Sequence, residues 1–99
     1  MTDSEKLYQK YKKYLRTDIT NYKIDVFDKV IVLDFINKRA YHGYVIYTEG
    51  INIECFFHHF DEKSTNSVNF NKCNSSHSWA DFIPVKYILK EKINKLLKI

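Results

Sequence analysis

The stretch "AYHGYVIYTEGINIECFFHH", Ala40 to His59, decides the fold. It contains two runs of β-branched and aromatic residues, each of strand length, separated by Glu49-Gly50. Such residues fit a pleated, half-buried surface, and Gly50 can adopt the positive φ that a tight hairpin needs. Two antiparallel strands are predicted. Counting outward with Glu49-Gly50 as a two-residue loop sets Thr48 opposite Ile51, Ile46 opposite Ile53, Tyr44 opposite Cys55 and His42 opposite Phe57.

Upstream, "KVIVLDFI" after Asp28 is a β-branched run too short for an ordinary helix, and Asn37, Lys38 and Arg39 interrupt it. With Lys38-Arg39 as a second two-residue loop, a three-stranded meander extends from about Lys29 to His59. Side chains alternate along a strand, so Ile31, Leu33, Phe35, Tyr44, Ile46, Ile51, Ile53, Cys55 and Phe57 fall on one face, the expected core. The other face receives Val32, Asp34, Tyr41, Gly43, Val45, Tyr47, Asn52, Glu54, Phe56 and His58.

The flanks read as helices. In "TDSEKLYQKYKKYLRT" a capping residue at Thr2 or Asp3 precedes Leu7, Tyr11, Tyr14 and Leu15 at helical spacing, while Lys6, Lys10 and Lys13 form a separate basic ridge. The tail "WADFIPVKYILKEKINKLLKI" places Val85, Ile88, Leu89, Ile93, Leu96 and Leu97 at helical spacing, with Pro84 suited to a first-turn position. Between meander and tail, "SVNFN" supplies a short strand flanked by polar loops, and "YKIDVF" before the meander alternates like a strand. The prediction is one α+β domain over residues 1–99: an N-terminal helix, a curved antiparallel sheet of four to five short strands, and a C-terminal amphipathic helix. A variant keeps "FIPVKYI" extended as the last strand of an SH3-like small barrel, with a shorter helix after it.

Composition bounds the function. The chain is 44% hydrophobic and 28% charged, the balance of a globular domain. No run approaches the length of a membrane span, and the opening "MTDSEKLYQK" lacks the pattern of a secretory signal, so a cytoplasmic protein without membrane association is expected. In that compartment Cys55 and Cys73 are free thiols. Heavy use of Lys, Asn, Ile and Tyr matches AT-rich coding sequence, such as that of low-GC bacteria, their phages and mobile elements.

Two sharper chemistries are suggested by "CFFHHF". Cys55 and His58, with Cys73 and His77, mimic metal-ligand spacing, but in a strand Cys55 and His58 point to opposite faces, and Cys55 and His59 stand about 13 Å apart. A nucleophilic Cys/His pair needs a partly exposed, electropositive thiol, whereas Cys55 is placed in the core, where desolvation opposes the thiolate. The carboxylates show no paired spacing and no Gly-rich phosphate loop occurs. No metal, cofactor or catalytic residue is therefore assigned, and the chain is read as non-enzymatic.

Binding remains. The outer aromatic residues Tyr41, Tyr47, Phe56 and His58 suit a protein partner, with a homodimer as a special case and a phage or mobile-element inhibitor or regulator as the setting. The alternative is a nucleic-acid-binding small β-barrel. The net charge of +4 concentrates at the two ends, and Lys10, Lys13, Arg16, Lys38, Arg39, Lys86 and Lys90 would be its contacts.

Overall fold

In the computed structural model, which describes residues 1–14, 23–58, 65–71 and 79–97, one β-bulge sets which residues meet the core. Strands β1 (Lys29–Asp34), β2 (Arg39–Glu49) and β3 (Asn52–His58) form the expected antiparallel meander. The β2–β3 turn is Gly50-Ile51, one residue later than counted, with Gly50 at φ 59°. Glu49 thus lies opposite Asn52, Thr48 opposite Ile53 and Tyr47 opposite Glu54. Between Val45 and Tyr47 the register slips by one residue, and beyond it Val45 faces Cys55, Tyr44 faces Phe56 and Gly43 faces Phe57.

Because side chains alternate, one extra residue turns the first half of β2, and β1 with it, over relative to β3. Ile53, Cys55 and Phe57 point into the core as expected. On β2, however, Val45 and Tyr41 point inward and Tyr44 points out, the reverse of the straight ladder. Ile51, expected inside, sits exposed in the turn.

The β1–β2 connection also differs. Asp34 pairs with Arg39, leaving Phe35 to Lys38 as a four-residue loop. The Asp34 carboxylate accepts the backbone N–H groups of Ile36 and Asn37, at 3.0 and 3.1 Å, and the Asn37 side-chain amide at 2.9 Å. This side chain makes the turn that a glycine would otherwise make, and Lys38 completes it in the left-handed region at φ 54°.

Strands β4 (Thr65–Asn71) and β5 (Ala80–Pro84) complete an antiparallel sheet of order β4-β3-β2-β1-β5. The sheet curls into a half-barrel. Phe70 on one edge strand and Phe82 on the other approach to 4.6 Å between ring centroids, closing the inner core over Val32, Val45, Ile53 and Cys55. Tyr41 stacks on Phe57 within it at 5.4 Å.

Both helices lie on the outer face. Helix α1 (Asp3–Tyr11) starts in a capping box, Thr2 receiving the Glu5 N–H while the Glu5 carboxylate receives that of Thr2, and a 3-10 turn continues to Tyr14. Leu7, Tyr8, Tyr11 and Tyr14 pack with Ile31, Leu33 and Ala40 in a second core, as does Ile88 of helix α2 (Val85–Leu97). The tail is thus strand to Pro84 and helix from Val85, and "FIPVKYI" divides between them. Only the first turns of α2 dock: Leu89, Ile93, Leu96 and Leu97, expected on its buried stripe, are exposed.

Candidate functional site

Strands β1 and β2 present Lys29 and Ile31, opposite Tyr44 and His42, on the outer face. Tyr11 of α1 stands on one side of this floor and Val85, the first residue of α2, on the other. Between the helices runs an open cleft of about 780 Å³, its lining completed by the backbone-rich strip of Val30 and Gly43 and by Phe27. That volume falls within the range of about 300–1,000 Å³ common for ligand sites.

Phe27 is the least expected member. It is 76% exposed and its backbone sits at φ 72°. Asp28 N–H donates to Asp25 C=O at 3.1 Å, so Asp25–Asp28 is a four-residue turn whose third position normally calls for glycine. A side chain there costs on the order of 1–2 kcal/mol, yet Phe27 gains little burial in return. The turn is held from three sides. Phe27 N–H donates to Val45 C=O at 2.6 Å and Val45 N–H to Asp28 C=O at 2.9 Å. Asp28 accepts the Asp25 N–H at 2.8 Å and pairs with the Lys86 ammonium at 2.7 Å. Tyr87 of α2 donates its hydroxyl to Lys23 C=O at 3.0 Å. The expected alternating strand of "YKIDVF" is therefore, over its described residues, an irregular segment and a turn.

The charges at this support follow from their contacts. Partial burial opposes ionisation of Asp28, but the Asp25 N–H and the Lys86 ammonium outweigh it and hold the carboxyl below its usual range. Lys86 is opposed likewise by burial and raised by Asp28, which accepts its hydrogen bond.

The outer side of β2 and β3 carries further aromatic residues, continuous with the cleft at Tyr44. Tyr44, 40% exposed, meets half-buried Phe56 across the strands at 5.4 Å. Tyr47, exposed, donates its hydroxyl to the Glu49 carboxylate, and His58 is exposed at the end of β3. Of the four residues assigned to a partner surface, Tyr47, Phe56 and His58 thus lie on this side. Tyr41 does not: it is 3% exposed in the inner core, because the bulge reverses its facing.

The basic candidates are dispersed. Lys10 and Lys13 are exposed on α1 and its 3-10 extension, each over the ring of the tyrosine after it, at 5.2 and 5.3 Å. Lys38 is exposed in the β1–β2 loop, Arg39 is half-buried with a partner, and Lys90 is exposed on α2. Lys86 is committed to Asp28 and, at 3.9 Å, Asp25. Arg16 lies outside the described residues, as do His59, Cys73 and His77.

Cys55 is fully buried mid-strand, and burial followed by the Glu54 charge pushes its thiol far above the ordinary range, so it presents no thiolate nucleophile. Among the described residues no three His, Cys, Asp or Glu side chains converge on a point where a metal would sit, and no helix is long and apolar enough to cross a membrane. No protein-family model matches the chain, and no curated protein and no solved structure is detectably similar to it.

Proposed function

We propose that this chain is a non-enzymatic protein-binding module acting through the outer surface of β2 and β3 and the cleft beside it. The observation that carries the reading is Phe27, a large apolar ring held exposed on a left-handed backbone at the mouth of a cleft. Backbone strain persists where surrounding structure enforces it, and such positions cluster at functional sites. Tyr44, Tyr47, Phe56 and His58 continue the surface, and aromatic residues are the side chains on which interface energy concentrates.

The setting proposed is the cytoplasm, with the module serving as an inhibitor or regulator encoded by a phage or mobile element; the Lys-, Asn-, Ile- and Tyr-rich composition supports that provenance. Affinity capture from a host lysate tests the function, with and without nuclease and across salt concentrations. The expected result is a protein retained after nuclease treatment, with retention falling about tenfold or more in a Tyr47→Ala, Phe56→Ala double variant whose unfolding midpoint is near that of the wild type. Retention of nucleic acid alone, weakening with a log–log salt slope of several units, overturns the reading in favour of a basic nucleic-acid-binding surface.

A further inference from the structure

The cleft specifies more than a binding face. Three aromatic residues from separate elements border it, Tyr11 from α1, Phe27 from the turn before β1 and Tyr44 from β2, while Ile31 and Val85 supply its aliphatic surface. Its ionisable lining is basic: Lys29 and His42 belong to it and no Asp or Glu does. Outside the lining, the Lys10 ammonium stands 5.2 Å over the Tyr11 ring. Aromatic rings alone would also cradle a cation, but Lys29 beside Tyr44 opposes one.

Resting on the binding-module reading above, the geometry points to an acidic aromatic peptide segment of the protein partner as the cleft's occupant. Its aromatic side chain enters between Tyr11, Phe27 and Tyr44, and a neighbouring carboxylate meets Lys29. The small number of cations favours this occupant over a nucleic-acid strand. A phosphate backbone is held by many basic groups, each contact adding to the salt dependence, and the α2 lysine nearest the turn, Lys86, is already neutralised by Asp28 at 2.7 Å. One or two carboxylates beside a ring match what the cleft offers.

The test uses the full isotope-labelled chain and three peptides followed by NMR: a tryptophan flanked by two glutamates on each side, the same peptide with lysines replacing the glutamates, and the glutamate peptide with alanine replacing tryptophan. The glutamate–tryptophan peptide is expected to shift the amide signals of Ile31, Gly43 and Tyr44. Both control peptides should bind about tenfold more weakly. Lys29→Glu should weaken the glutamate–tryptophan peptide about tenfold and strengthen the lysine one, a reversal that a merely destabilised variant would not produce. Equal binding of the two charged peptides, or shifts lying elsewhere, overturns the inference. So does a short oligothymidylate that moves the same signals at lower concentration with a steep salt slope. Partner capture separates the two levels. If Lys29→Glu leaves capture intact while Tyr47→Ala with Phe56→Ala abolishes it, the occupant assignment fails and the module stands; if neither variant affects capture, the module reading itself fails.

Discussion

On the inner face of the sheet all five strands contribute buried apolar side chains, and the two edge strands meet through Phe70 and Phe82. On the outer face, α1 and α2 cover Ile31, Leu33 and Ala40 but leave Tyr44 40% exposed, with a cleft of about 780 Å³ between them. The inner side satisfies itself by curling. The outer side depends on two helices that do not span it, and the uncovered remainder is where the proposed binding surface lies. On the proposed reading, stability and binding belong to opposite sides of the same strands, and substitutions should separate them.

The largest stability loss is expected inside. Phe57→Ala removes a ring stacked on Tyr41, and truncation of a buried phenylalanine costs about 3–5 kcal/mol. Chemical unfolding would measure it, and Cys55 offers a second readout. Its buried, protonated thiol should resist a thiol reagent until the chain opens, and in Phe57→Ala the labelling of that peptide, followed by mass spectrometry, should accelerate about a hundredfold or more. Rapid labelling of native wild type would contradict the closed inner face.

Gly43→Ala comes next, at about 2–3 kcal/mol by urea unfolding. A Cβ there would lie 2.3 Å from the Phe56 carbonyl oxygen and 3.0 Å from Phe57 Cβ, so backbone must move. On the outer side the expected loss shrinks. Tyr44→Ala gives up a cross-strand pair worth about 1 kcal/mol or less while removing a wall of the cleft, so peptide binding should fall far more than stability. A large stability loss with unchanged binding would erase the proposed division.

The smallest effect belongs to Lys86–Asp28, a partly exposed pair worth about 0.5–1 kcal/mol. The lowered Asp28 pKa contributes stability that is fully present above the ordinary carboxylate range and lost as pH falls through the lowered value. The raised Lys86 pKa contributes stability present below the ordinary lysine value and lost as pH rises through the raised one. Asp28→Asn should therefore flatten the acid side of the stability profile, and Lys86→Ala should shrink both flanks. Since the same pair braces the Phe27 turn, either variant should also weaken peptide binding modestly, which titration would detect.

Most elements were legible in the sequence because they rest on local signals: β-branched runs for the meander strands, a cap at Thr2 or Asp3 for α1, and helical periodicity from Val85 for α2. Strand β5 was legible only in the variant that kept "FIPVKYI" extended, since Pro84 reads equally as a first helical turn. The facing of β3 was legible too. The bulge was not, because nothing distinguishes Ile46 from its neighbours in composition, so counting outward from the turn takes it for an ordinary ladder position. From that one residue follow the inward turn of Tyr41 and the outward turn of Tyr44. Phe27 was hidden for another reason. Turn chemistry leads one to look for Gly or Asn at a left-handed position, and Val26-Phe27 carries the opposite signature. The cleft could not be counted out at all, since it depends on the distance between two helices remote in sequence.

The odd residue in β2 also bears on how the chain could vary in length. Deleting position 46 would remove the extra residue and restore an uninterrupted ladder while keeping Tyr47 opposite Glu54 and Val45 opposite Cys55, so His42 and Tyr44 would stay outside and Val30 and Val32 inside. A lost or gained residue in the Phe35–Lys38 loop would leave those orientations alone. Loss of one residue should thus be tolerated at either place, because neither deletion exchanges the faces of the strands.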